Sequence, residues 1–458
     1  MNVSDVTKNA YVNSSNKNLK IYFEELDLSV ESSQIYEESM RLTERLVDSK
    51  KFEIVGCISS VFEIKINGLL QDVKGRKIAV TLKADDTEEI PMFHGIVDSA
   101  KKQSNKNFKK IIAYDELYSK GNIDLSAWYN GLVFPITQKD FRDSLFTYIC
   151  LEQVECDLPN DEMTINKEYA PTQLRAISVI KAICQINGAF GIVNRYGKFE
   201  YRILASSIEK SGAFPGLTLF PGSTTYPGYI YGDDNQKIEV RDVAFYKKVD
   251  YEEYSIKPVE KVTIRQTDNE VGASYGEGSN NYIIQGNMFT LNKSAEELQM
   301  IAQNVYNSIA GVEFVPFSAE NSGYPFIEVG LDGVSYYAYN YEASARARSR
   351  DIYTQKTFYV FKRTLSGIQA LKDVYSVQGE EYQQEFITDV GTQIEQIKRN
   401  LSVEVSNQIQ SVLPEYTYTK EQLNTLLSGM FKVESVASLP SNPDKNTIYL
   451  IQGEVVVE

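Results

Sequence analysis

Between residues 20 and 134, apolar and polar side chains alternate with the period of strands buried on one face. The pattern runs through Leu19, Tyr22 and Phe23, then Ser39-Met40-Arg41-Leu42-Thr43, Val61 to Ile66, Lys77 to Leu82, Met92 to Asp98 and Phe108 to Tyr114. Six or so short strands separated by polar turns predict a small closed or nearly closed barrel. The stretch 38–48 also fits a helix, and residues 1–19 read as a polar arm ahead of the first strand.

After residue 137 the period lengthens to that of a helix. Thr137 precedes a stripe through Phe141, Leu145, Phe146 and Ile149. Pro171 opens a second through Leu174, Ile177, Ile180, Ile183 and Cys184, stopped by Asn187-Gly188. Gly191 to Ile203 then reads as a hairpin with Gly197 in its turn. Residues 205–236, rich in Gly, Pro, Ser and Tyr, form a long connection. Strands resume from Ile238 to Thr267, followed by a glycine-rich stretch, Gly272 to Ser279, expected to be a flexible loop. It has neither the following helix N-terminus nor the Lys-Ser/Thr pair of a phosphate cradle. A helix from Ser294 to Ala310 presents Leu298, Ile301, Ala302, Val305 and Ile309 on one face. Further strands are expected at Phe326 to Val329, Val334 to Tyr339 and Thr357 to Phe361, continuing up to Gly379. Two strand-rich blocks thus flank an α/β insert.

Near the C-terminus a different repeat appears. Ile387, Val390, Ile394, Ile397, Leu401, Val405, Ile409 and Val412 form a near-heptad seam. Its first steps of 3, 4, 3 and 4 place Ile387, Ile394 and Leu401 at a and Val390 and Ile397 at d. β-Branched residues at both positions shift the preference from two strands toward three or more. After Leu401 the steps become 4, 4 and 3, a stutter that unwinds the supercoil locally without interrupting the seam. The alternative is an amphipathic helix lying on its own globular domain, although the outer face from Gln393 to Asn400 is polar. Beyond Pro414, Thr419 to Gln422 forms a capping box for a short helix through Leu423, Leu426, Leu427 and Met430. Thr447 to Ile451 and Val455 to Val457 suggest a last β-hairpin, too small to fold except against symmetry mates.

The 458 residues allow two to four domains, and 31 Tyr with 21 Phe reinforce the strand reading. A net charge of -15 argues against a nucleic-acid surface, whose affinity comes mainly from Lys and Arg. The densest basic stretch, Lys101, Lys102, Lys106, Lys109 and Lys110, has Ser, Asn and Gln neighbours and reads as a solvated hairpin tip. Cys57, Cys150, Cys156 and Cys184 show no CxxC spacing and read as buried thiols of a reducing compartment. The N-terminus lacks the apolar core of a secretory signal, and no window reaches the ~18 apolar residues of a membrane helix. His94 is the one histidine, which excludes His-rich zinc sites and leaves no evident partner for a cysteine nucleophile. Between Phe93 and Gly95 it reads as structural. Carboxylate pairs are too many among 62 acidic residues for spacing to select one. No catalytic residues, cofactor or metal are expected.

Taken in order, several segments resemble the hub proteins of phage tail tips, a family that includes the N-terminal structural region of tail-associated lysins and the baseplate hub of contractile tails. The likeness lies in Gly56 to Ile64, Phe93 to Asp98 with Ile112-Ala113-Tyr114-Asp115, and Leu174 to Leu204 with its Tyr196-Gly197-Lys198-Phe199-Glu200 turn. It continues in Ile284 to Phe289, the helix at 294–310, Val315-Pro316-Phe317, Gly323 to Gly330 and Thr364 to Ile368. The Gly-Asp pair usual after the Pro-aromatic strand is interrupted here as Gly330-Leu331-Asp332.

The resemblance implies an α+β, mainly β chain with two hub-type β-barrel domains flanking a small α/β insert, then a C-terminal trimeric coiled coil and a small β tip. The expected divisions are an arm (1–19), a first barrel (20–136), the insert (137–205), a connection (206–236), a second barrel (237–385), the coiled coil (386–413) and the helix-and-β tip (414–458). It further implies a homotrimer whose six barrels match a six-fold tail tube, bound to a distal tail protein and a tape-measure protein, with tip or receptor-binding proteins at its C-terminus. A seam of this length would make a rod of roughly 40 Å on the trimer axis. A wall of negative charge would repel DNA phosphates during ejection. A receptor-binding spike and a peptidoglycan hydrolase are the alternatives.

Overall fold

The computed structural model describes residues 3–13, 16–47, 56–103, 107–168, 170–204, 239–242, 246–267, 270–322, 325–339, 346, 353–379, 385–387, 432–436 and 447–451. The chain divides into two compact units, Met1–Ile397 and Lys398–Glu458.

The first unit begins with α1 (Asp5–Asn13), β1 (Lys17–Phe23), β2 (Leu28–Val30), β3 (Arg41–Arg45), β4 (Val61–Asn67), β5 (Lys77–Ala84), β6 (Ile90–Lys102) and β7 (Phe108–Tyr114). Next come α2 (Glu116–Lys120), α3 (Ser126–Gly131), β8 (Ile136–Thr137), α4 (Gln138–Ile149), β9 (Thr164–Ile165), α5 (Ala176–Asn187), β10 (Phe190–Val193) and β11 (Phe199–Arg202). It continues with β12 (Glu239–Asp242), β13 (Tyr246–Tyr251), β14 (Lys261–Arg265), β15 (Ala273–Gly276), β16 (Asn281–Gln285) and α6 (Ala295–Ile309). The last elements are β17 (Phe317–Ser322), β18 (Asp332–Tyr339), β19 (Tyr353–Tyr359), β20 (Lys362–Ser366), β21 (Lys372–Val377) and β22 (Glu385–Ile387). Strand predominates, so the fold is α+β and mainly β.

The strands of residues 61–114 follow the alternation read from the sequence. In β4, Phe62, Ile64 and Ile66 are buried while Glu63 and Lys65 face outward. Arg41–Arg45 is a strand as well, and a single 3-10 turn, Glu37–Ser39, accounts for the helical look of the residues before it. The expected barrel does not close among the described residues. Instead, eleven strands form one antiparallel sheet in the order β13-β17-β21-β20-β3-β4-β7-β6-β5-β1-β2. Near-closure rests on one bridge, Ile35 to Ile66, where Tyr36 N donates to Lys65 O at 2.9 Å.

One sheet runs through both strand-rich blocks. β20 pairs with β3 from Lys362 opposite Arg45 to Ser366 opposite Arg41, which joins the far end of the first unit to its beginning. Two apolar cores result. One gathers β1 to β7 with Phe326, Leu365, Ile368 and Leu371 from the later block. The other merges the α/β insert with the later strands and α6. The insert is therefore half of a larger core. The close approach at Gly188 shows why: a Cβ there would lie 2.8 Å from Ile309 Cγ2 and 2.9 Å from Ser308 Cβ.

Local differences have local causes. The N-terminal arm contains α1, whose Tyr11 is buried, donates to Leu82 O at 2.8 Å and meets Phe326 edge-on. α5 starts at Ala176, five residues after Pro171, because Leu174 N donates to Asp124 Oδ1 at 3.1 Å and Arg175 bridges Asp124 in extended form. The glycine-rich stretch after residue 272 contains β15, antiparallel to β14, so it is not a free loop. Glu260 accepts from Ser279 N at 2.8 Å and Asn280 N at 3.0 Å, which fixes the turn that follows. Phe326 to Val329, expected as a strand, belongs to no sheet although it is largely buried. In the second unit, β23 (Lys432–Val436) pairs in parallel with β24 (Thr447–Ile451), from Lys432 opposite Thr447 to Val436 opposite Ile451. The latter strand is the expected one, but its partner precedes it and runs parallel, so this pair is no hairpin. Val455 to Val457 lie outside the described residues. No described helix is long and apolar enough to cross a membrane.

α6 depends on a reciprocal cap, in which Ser294 Oγ accepts from Glu297 N at 3.2 Å and Glu297 accepts from Ser294 N at 2.9 Å. Ser294→Ala should lower the stability of the first unit by about 1 kcal/mol, read as a shift of its urea midpoint at unchanged slope.

Candidate functional site

The seam was the only functional constellation expected from the sequence, and its first member lies in a strand. Ile387 ends β22, opposite Ile283 of β16 in a parallel pair. Val390, Ile394, Ile397, Leu401, Val405, Ile409 and Val412 lie outside the described residues.

A cluster of buried charge lies where the two cores meet. Arg363 is fully buried on β20, and Asp373 is fully buried on β21. Arg363 Nε lies 3.1 and 3.0 Å from the Asp373 carboxylate oxygens, while its Nη1 reaches Glu44 Oε2 at 3.0 Å and Ile327 O at 3.0 Å. Tyr375 Oη donates to Asp373 Oδ2 at 2.9 Å. Arg195, from the turn between β10 and β11, donates to Pro325 O at 2.6 Å and Ile327 O at 2.7 Å, with Nε 3.7 Å from Glu44 Oε1. Arg202 donates to Val329 O. Three guanidinium groups thus supply donors to the carbonyls of Pro325, Ile327 and Val329, in a segment without strand partners. This is why residues 326–329 are buried without sheet pairing, since a buried carbonyl needs a donor from somewhere.

No local pattern marks the arginine lattice, because Glu44, Arg195, Arg202, Arg363 and Asp373 are scattered along the chain. One signal was present: period two puts Arg363 on the same face as Leu365, and Asp373 on the same face as Tyr375 and Val377. A charge on an apolar face calls for a buried partner.

His94 sits on β6 opposite Ala79, with Nε2 2.8 Å from Glu24 Oε1 and Nδ1 3.8 Å from Glu116 Oε1. Lys77 Nζ reaches the same Glu116 oxygen at 2.7 Å. Gly197, at φ 82°, brings the β10–β11 turn onto the imidazole so closely that a Cβ would lie 2.3 Å from Nδ1. The contacts seat a hairpin on a strand.

Two of the four thiols differ from the expected burial. Cys57 and Cys184 are buried with Sγ atoms 3.4 Å apart and no bond between them, and burial pushes the Cys184 thiol well up. Cys156 is half-buried. Cys150 is exposed, because it ends α4 at the surface in a left-handed conformation, φ 53°. Among the described residues, no group of three or more His, Cys, Asp or Glu side chains is placed to hold a metal ion.

Asp115 caps α2 beside a cleft of about 490 Å³ lined by Asp72, Asp98, Tyr114 and Tyr118. It accepts from Ser60 N at 2.5 Å and Leu117 N at 3.0 Å. Burial outweighs these bonds and pushes its carboxyl up to about 7.

The sequence matches no family model, and no curated protein matches it. The fold is similar to the 43 kDa tail protein of prophage MuSo2 from Shewanella oneidensis, at 12% identity and a TM-score of 0.45, covering 79% of this chain and 98% of that one. It is also similar to the tail protein from Neisseria meningitidis MC58, at 10% identity and 0.43, covering 79% and 96%. Prophage tail protein gp18 from Listeria monocytogenes EGD-e gives 8% and 0.43, covering 83% and 99%.

Two outcomes follow from the buried charges. Arg363→Met leaves Asp373 buried without a cationic partner and Glu44 with only the 3.7 Å contact to Arg195, and should destabilise the first unit by about 3–5 kcal/mol in urea denaturation. Between about pH 4 and pH 7 the folded Asp115 keeps a proton that the unfolded chain has released, so stability should fall as pH rises through that window. Asp115→Asn should flatten this slope in thermal melts recorded across the same range.

Proposed function

We propose that this chain is a structural subunit of a phage or phage-derived tail, and specifically the hub of the tail tip. In this reading three copies close the distal end of the tube, adapt its six-fold symmetry to three-fold, join the distal tail and tape-measure proteins, and part or detach to let DNA through. The protein belongs to the virion at the tail tip and has no enzymatic role.

The observation that carries the proposal is the arginine lattice. A hub has to transmit load between a tube and a tip, so its strand-rich blocks must be bound firmly to each other. Here buried ion pairs join β3, the β10–β11 hairpin, β20 and β21, and a single sheet runs through the junction. The order of hub-like segments along the sequence supports the same reading, and the β-branched seam supplies the three-fold element. The acidity suits a channel wall that DNA passes without adhering.

The mass of the purified chain in solution should be three times 51.9 kDa by light scattering. Ile394→Asp combined with Ile397→Asp should reduce it to one chain while leaving the far-UV spectrum of the β-rich unit intact. A monomeric wild type, or an antibody label found away from the tail tip in electron micrographs of particles, overturns the proposal. A cleared band on a peptidoglycan zymogram would make the chain a hydrolase instead.

A further inference from the structure

The longest strand among the described residues has opposite charge at its two ends. β6 runs for 13 residues, roughly 40 Å at the usual rise per residue. At its start, the turn from β5 exposes Asp85, Asp86, Glu88 and Glu89. At its end, the hairpin to β7 sets Lys101 opposite Lys110 and Lys102 opposite Lys109. Lys65 on β4 lies opposite Lys110 on the other side.

Like charges directly across a ladder destabilise it, and this hairpin stacks them in two successive pairs. The repulsion is only partly relieved within the chain. Lys110 reaches Glu63 at 2.7 Å, and Lys109 donates to Gln71 O at 2.6 Å. Lys109 is lowered by burial and then by the charge of Lys102. Lys101 and Lys102 are exposed and form no ion pair among the described residues. Folding does not require lysine at either place, since any polar residue would serve on an exposed strand end. The pairing makes sense when the hairpin meets an anionic surface.

We infer that the lysine hairpin of β6 and β7 docks onto the acidic β5–β6 turn of a second copy of this chain. Three features select that occupant. The chain as a whole carries -15, so a copy of itself is an abundant anionic partner. The complementary patch lies at the opposite end of the same strand, which suits head-to-tail contact. A closed ring of three requires such heterologous contacts, in which two different patches of each subunit meet. The inference rests on the trimer proposed above and specifies one of its interfaces. At the acidic turn, Glu88 also accepts from Thr7 Oγ1 at 2.9 Å, Glu89 accepts from Thr81 Oγ1 at 3.2 Å, and Asp85 holds a left-handed conformation at φ 48°, which leaves Asp86 as the residue to alter.

Zero-length carbodiimide coupling of the full chain tests this directly, because the two ends of β6 are too far apart to be joined within one molecule. In an equal mixture of ordinary and 15N-labelled chains, peptides carrying Lys101 or Lys102 should be joined to peptides carrying Asp85 or Asp86 with hybrid isotope composition. The yield should drop about tenfold in 0.5 M salt, as expected of an exposed charge contact. It should drop equally in the variant Lys101→Glu with Lys102→Glu, and return when Asp86→Lys is added to that variant. Melting temperatures of the variants, no lower than that of wild type, confirm intact folding. A trimeric mass with these lysines uncoupled, or coupled to other carboxylates, overturns the inference and leaves the trimer standing. Coupling to the turn that persists in the Lys101→Glu, Lys102→Glu variant through other lysines also overturns it. A monomeric mass with no hybrid peptide overturns both.

Discussion

A guanidinium group with no exposed surface has to be surrounded by acceptors, and Arg363 obtains them from three separate parts of the chain. Asp373 comes from the neighbouring strand, Glu44 from β3 near the N-terminus, and the Ile327 carbonyl from a segment without a ladder. Removing ions from water costs several kcal/mol each, so the arrangement is tolerable only when every partner is in place. This couples segments more than 300 residues apart. The β3–β20 pairing, the burial of residues 326–329 and the seat of the β10–β11 hairpin all meet at this cluster.

The two apolar cores follow from that junction. Leu365 faces one core while Tyr375 belongs to the other, so the strands beside the ion pairs serve both. Phe326 reaches into the first core against Tyr11, and Ile327 and Val329 enter the second. A short segment held by arginines thus contributes to each. Such a body resists shear between its halves, because separating them exposes apolar surface and unpaired charge together.

The proposed assembly assigns different physics to its two contacts. Along the axis, a seam of β-branched and aliphatic residues associates by removing apolar surface from water, which salt does not weaken. Around the ring, exposed lysines and carboxylates act through screened Coulomb attraction, which orients subunits more than it binds them. The proposed gate, which would have to hold during assembly and yield during ejection, would be well served by one contact of each kind.

Alternation of period two located the strands of residues 61–114, and a period near 3.6 with its caps located α4 and α6, because both signals are local and depend on which face a core covers. The mainly β class was likewise legible from composition. Closure was not legible: six alternating strands suit a barrel, but whether the edge strand meets its own block or β20 depends on a partner some 320 residues away. Residues 326–329 show the same limit, since an apolar run looks like a strand until buried arginines replace its ladder. The insert reads as a module because its helices and hairpin are contiguous, yet Gly188 prepares it for α6, a contact no local pattern records. Local side-chain order therefore determined the elements, and long-range burial of apolar surface and charge decided how they were joined.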